Sequence, residues 1–169
     1  MPMRKRGLAL VLVAACGSDD VDLTGVYRVD SAVGSEPCGA DETIEFAAFV
    51  KFAKMELFGQ PFFAYDGCTD AGAAECSSIG GLFGGFFEPI DNGWQGRSSF
   101  SAGGGELSCL LGLVDQTALL DGTRLTIEVS RFEEEVDGLT VDQCSPDEAE
   151  KRGEDMPCLD HSLIDTTKI

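Results

Sequence analysis

The sequence predicts a mainly β fold, a single antiparallel meander forming a small barrel or a two-sheet sandwich, disulfide-stapled, with one short C-terminal helix near 145–152. Three observations predict it. Apolar and polar residues alternate with period two, most cleanly where Leu125, Ile127 and Val129 oppose Thr126, Glu128 and Ser130. Turn signals such as Asp91-Asn92-Gly93 and Asp121-Gly122 separate the alternating runs. Six of the seven cysteines fall between Cys38 and Cys158, an even set that reads as three bridges.

Taken in order, Leu23 to Ser31 reads as the first strand. Thr43 to Phe58 suits either state. As a helix it carries Lys51 and Lys54 near its end and stops at Gly59 and Pro61; as a strand it aligns Ile44, Phe46, Ala48, Val50 and Phe52 on one face. The strand is preferred, because the helical stripe leaves Ile44, Phe52 and Phe58 outside it. Phe86 to Ile90 and Trp94 to Arg97 form a hairpin, and Pro89 marks an edge or a bulge. Leu107, Cys109, Leu111 and Leu113 define a buried face, so a bridge at Cys109 is expected to tie the sheet from inside. Ser145-Pro146-Asp147-Glu148 supplies a capping serine, a first-turn proline and a glutamate at the reciprocal capping position, and Lys151, Arg152 and Gly153 close the helix. Leu159 to Ile169 adds a last strand, for roughly eight strands in all.

The cysteines pair by proximity in this reading. Cys68 and Cys76 enclose seven residues and Cys144 and Cys158 enclose thirteen, which leaves Cys38 with Cys109. A metal site is not expected, because no pair has Cys-x-x-Cys spacing and His161 is the single imidazole. Asp20-Val21-Asp22-Leu23-Thr24-Gly25 matches half of a calcium loop, but Ser31 stands where the bidentate glutamate belongs, so it reads as tether and strand. No cofactor is expected.

The start of the chain carries a localisation signal. Arg4, Lys5 and Arg6 precede a nine-residue apolar core, Gly7 to Ala15, too short to cross a bilayer. Val13-Ala14-Ala15-Cys16 resembles the lipobox of bacterial lipoproteins. The resemblance implies a signal peptide over 1–15, diacylglycerol on the Cys16 thiol, and a further fatty acid such as palmitate on the new amino terminus. Residues 16–22 then form the lipidated tether, and 23–169 one β-rich domain. Several acyl chains, each methylene worth about 0.8 kcal/mol, hold a protein durably to a membrane. By resemblance to the sorting rule of enterobacterial lipoproteins, Gly17 implies the outer membrane of the cell envelope if the organism is Gram-negative. Losing the signal leaves nine basic against thirty acidic side chains, a formal charge of −21, which disfavours nucleic acid as a partner.

Leu23-Thr24-Gly25-Val26-Tyr27 resembles the glycine-x-tryptophan opening of lipocalin-like barrels, with tyrosine in place of tryptophan. The resemblance implies a barrel with Tyr27 at its closed end and Arg131 packed on it. Catalytic residues are not expected. A nucleophile would depend on His161, no Gly-x-Ser-x-Gly elbow is present, and Gly80 to Gly85 lacks the lysine of a phosphate loop. Those glycines instead allow a loop whose Phe83, Phe86 and Phe87 are candidates to line a ligand entrance. The expected role is a non-catalytic, lipid-anchored structural or interaction module with an envelope-protein or cell-wall partner. The alternative is a lipocalin-like binder of a small apolar ligand, and a hollow, apolar interior would distinguish it.

Overall fold

The computed structural model describes residues 21–79, 85–105 and 108–169. Cys16 and the Val13-Ala14-Ala15 run that resembles a lipobox, Leu107 and Phe83 lie outside the described residues. The elements are β1 (Gly25–Ser35), β2 (Glu42–Thr43), β3 (Phe49–Leu57), β4 (Gln60–Cys68), β5 (Cys76–Ser78), β6 (Gly85–Phe86), β7 (Glu88–Ile90), β8 (Gly93–Gly103), β9 (Cys109–Asp121), β10 (Arg124–Val136), α1 (Pro146–Arg152) and β11 (Cys158–Lys168). No helix among the described residues is long and apolar enough to cross a membrane.

All eleven strands belong to one antiparallel sheet, in the order β5-β4-β3-β1-β11-β10-β9-β8-β7, with β2 on β1 and β6 on β4. The last strand returns beside the first, with Tyr27 opposite Lys168. The expected barrel is corrected: the hydrogen-bonded path ends at β7 and does not return to β5. Residues 85–90 lie along that seam. β6 pairs β4 at Phe63–Phe86 and Ala64–Gly85, β7 pairs β8 over three residues, and Phe87 separates them. The sheet is nevertheless strongly curled, since inner-face residues of β1, β3, β4, β6 and β8 to β11 meet in one cluster around Tyr27, Phe52, Phe63, Phe86, Trp94 and Ile127.

The ambiguous stretch divides. Residues 49–57 are strand, with Val50 and Phe52 buried, whereas 44–48 lie outside it, and Ile44 and Phe46 pack against the inner cluster. Pro89 sits in β7 at the end of the path, where its missing N–H leaves no ladder bond unmade. Two of the hairpin turns use the expected polar tips. Asn92 (φ 62°) and Gly122 (φ 62°) take the left-handed backbone there. The β3–β4 turn instead places Phe58 (φ 51°) before Gly59 (φ 80°), although a left-handed conformation costs a residue with a Cβ about 1–2 kcal/mol.

A second core lies on the outer face. Cys109, Leu111 and Leu113 face away from the curl and are covered by Ala149 of α1 and by Met156. The helix begins as its residues dictate: the Ser145 hydroxyl accepts from the Glu148 N–H at 3.3 Å, and Glu148 holds Arg152 at 3.1 Å. Arg152 also reaches Glu134 at 2.6 Å, which ties the helix to β10.

The bridges are Cys38–Cys158, Cys68–Cys76 and Cys109–Cys144. Two expected pairs, Cys38 with Cys109 and Cys144 with Cys158, are therefore corrected. Because α1 packs outside β9, Cys144 at its entry lies over Cys109, and their bridge fastens the helix to the outer face and not the sheet from inside. Cys158 opens β11, whose Asp160-His161-Ser162 run lies near the end of β1, so the loop after β1 brings Cys38 to it.

Candidate functional site

The inner cluster does not fill the curl from end to end. At the end where β1 finishes, a cavity of about 440 Å³ remains. Alternation explains its walls. Tyr65 of β4, Val114 of β9, Val129 of β10 and Ile164 of β11 all occupy inner-face positions, and Phe46 and Ile79 close it from the flanking loops. Phe100 of β8 completes the wall because its cross-strand partner is Gly112. A Cβ at Gly112 would lie 2.0 Å from the Phe100 ring, so only glycine lets the ring lie against the sheet.

Four polar side chains face this space: Tyr65, Gln116, Arg131 and Ser162. Burial pushes the Tyr65 phenol up to about 12, so it stays neutral at any physiological pH. Gln116 is buried and donates to the Gly85 carbonyl at 2.7 Å. Arg131 is the cation on the cavity wall among the described residues, and its side chain is 44% exposed, which places it at the mouth. Its guanidinium is already engaged, by Asp160 at 3.2 Å and Glu133 at 3.1 Å. Burial holds the Asp160 carboxyl above its usual range; Arg131 opposes that shift, while Glu36 and Glu133 add to it. An entering anion therefore meets a guanidinium whose charge is matched by two carboxylates.

No protein-family model, curated protein or solved structure matches this chain. Its chemistry is read from its own side chains.

Several sequence-derived residues lie elsewhere. Phe86 is fully buried at the centre of the inner cluster, and Phe87 stacks on Phe62 at 5.1 Å on the outer side, so neither lines the cavity. Arg131 does not pack on Tyr27. The cation over the Tyr27 ring is Lys168, at 5.6 Å, and the Tyr27 hydroxyl donates to the Leu23 carbonyl at 2.9 Å. His161 sits in a polar cleft beside the mouth, its ring nitrogens 3.3 Å from Asp41 and 3.2 Å from Glu128. Burial alone would lower its pKa, but hydrogen bonds to Glu128 and Asp41 outweigh it and hold the imidazole above its ordinary value. Two carboxylates on two ring nitrogens suit an imidazolium that donates from both. No group of three or more His, Cys, Asp or Glu side chains fit for a metal ion occurs among the described residues.

The walls of the cavity were not legible in the sequence, because a hollow depends on which rings face each other across strands. Phe46 and Val129 were visible as inner-face residues. The pairing of Phe100 with Gly112 required a register that alternation alone does not supply.

Proposed function

We propose that this chain is a non-catalytic, lipid-anchored envelope protein that holds a small uncharged apolar molecule inside its curled sheet. The single observation that carries the reading is the apolar cavity of about 440 Å³, which falls within the roughly 300–1,000 Å³ common for small-molecule sites. Aromatic and branched aliphatic walls supply the affinity. The neutral Tyr65 phenol and the Ser162 hydroxyl offer hydrogen bonds to one polar end of the ligand. Engagement of Arg131 by Asp160 and Glu133 disfavours a free carboxylate. The anchor is Cys16, on the resemblance of Val13-Ala14-Ala15-Cys16 to a lipobox, and a short polar tether joins it to the domain.

Native mass spectrometry of the purified protein tests the binding half. A co-purifying small molecule, lost from Val129→Trp, is the expected result. Protein that emerges empty and takes up no apolar ligand contradicts the reading. Metabolic labelling with a fatty-acid analogue tests the anchor: label is expected on the natural chain and absent from Cys16→Ser, and equal labelling of both contradicts it.

A further inference from the structure

The β3–β4 hairpin carries apolar side chains at a place where the other turns of the same end are polar. Met55 and Leu57 of β3 are each about half exposed, and Phe58 at the turn is 98% exposed. Met55 pairs with Phe62 across the hairpin, and Phe87, itself partly exposed, stacks on Phe62. Met55, Phe62 and Phe87 thus share the outer face, Leu57 continues it by alternation, and Phe58 follows at the turn. Asp91-Asn92 and Asp121-Gly122 tip the neighbouring turns, as solvated turns do. At Phe58 a bulky apolar residue occupies a left-handed backbone position that asparagine or glycine fills at little cost. Neither packing nor turn chemistry accounts for that choice.

The register shows where the hairpin points. Gly25, the first residue of β1, lies opposite Phe52, so β3 runs on for five more residues beyond it, to Leu57. At about 3.3 Å per residue the tip projects roughly 17 Å past the start of the first strand. The chain enters at that same end: the Trp94 indole donates to the Val21 carbonyl at 2.6 Å, and Leu23 is fully buried beside it. Val21 is five residues from Cys16, a reach of at most about 18 Å. A tether of that reach lets a lipid on Cys16 and the apolar hairpin tip meet the same membrane, with the cavity mouth at the opposite end of the sheet.

We propose that the β3–β4 tip, led by Phe58 with Leu57 and Met55, inserts into the headgroup and acyl boundary of the bilayer beside the lipid anchor. This rests on the reading that Cys16 is lipidated. Inserted apolar side chains gain from leaving water, and aromatic rings favour that boundary. The tip adds a second contact to the acyl chains and fixes the orientation of the domain, so that the cavity opens away from the membrane.

The test uses the lipidated protein in phosphatidylcholine vesicles, with tryptophan introduced by Phe58→Trp or, as a control, by Val141→Trp. Val141 is exposed in the loop between β10 and α1, at the far end of the sheet. The unmodified protein supplies the Trp94 background. The Phe58→Trp emission is expected to shift to shorter wavelength, and acyl chains brominated near the headgroup should quench it at least two-fold more than the Val141→Trp emission. Equal quenching at the two positions, or none at position 58, overturns the proposal. Fatty-acid label on Cys16 is scored separately on the same samples. Label without quenching refutes the hairpin and leaves the anchor standing; quenching without label supports insertion and refutes the anchor.

Discussion

Gly112→Ala reports directly on how the cavity wall is built. A Cβ at position 112 would lie 2.0, 2.3 and 2.6 Å from three atoms of the Phe100 ring, whereas carbon atoms settle at about 3.5–4.0 Å. The ring must retreat by more than about 1 Å. The β8–β9 ladder is continuous from Gly93–Leu119 to Gly103–Cys109, so the backbone cannot yield easily and the ring swings into the cavity. Overpacking of this kind costs about 1–3 kcal/mol. With a urea slope of about 2 kcal/mol/M, the unfolding midpoint falls by about 1 M. Affinity for an apolar ligand falls with it, because the displaced ring takes up ligand space. Urea unfolding by circular dichroism and a ligand titration read both effects. The double variant Gly112→Ala/Phe100→Ala separates the mechanism from general damage, since without the ring the added methyl meets no obstacle. The double variant should then be no less stable than Phe100→Ala alone. A neutral Gly112→Ala, or costs that simply add in the double variant, would refute the packing argument.

Three further outcomes follow from other parts of the molecule. The Ser98 hydroxyl is buried with no hydrogen-bond partner among the described residues, so Ser98→Ala should stabilise the protein by about 1 kcal/mol in urea; a loss instead would reveal a partner. Replacing each bridge by paired serines should cost stability in order of the loop it closes. The costs are about 5 kcal/mol for Cys38–Cys158 (separation 120), about 4 for Cys109–Cys144 (35) and about 2.6 for Cys68–Cys76 (8), and a different order would point to native-state effects. His161 has a raised folded pKa, so its ion pairs contribute fully below its ordinary value of about 6.5 and are lost as pH rises through the folded value. His161→Gln should therefore cost about 0.2–1 kcal/mol more at pH 5 than at pH 8, and equal costs would show that the imidazolium contributes nothing.

Local signals were legible where local physics decides. Ser145, Pro146 and Glu148 place the helix start, and the alternation around Leu125 to Val129 places β10, because capping and side-chain direction act within a few residues. Long-range features escaped. The pairing of Cys38 with Cys158 follows from β11 returning beside β1, a contact across the whole chain. Closure failed at 85–90, where a two-residue and a three-residue ladder stand on either side of Phe87. Cys109 belonged to the correct alternating face, but which side of the sheet that face covers depends on where α1 docks. The cavity was foreseen as the feature that would favour a binder, yet not its walls. Phe86 and Phe87 share a glycine-rich context, and context could not show that one ring seals the core while the other lies outside it.

The claim that the curled sheet binds an uncharged apolar molecule is tested most directly by competition with matched alkyl ligands. The full-length Cys16→Ser chain, with its bridges formed, is titrated with the neutral fluorophore N-phenyl-1-naphthylamine, which is then displaced by 1-decanol or decanoate. The expected result is saturable binding that Val129→Trp abolishes, displacement by decanol at least ten-fold more effective than by decanoate, and a narrower gap in Asp160→Asn, where Arg131 loses one of its two carboxylates. Binding that survives Val129→Trp, or decanoate displacing as well as decanol, would contradict it.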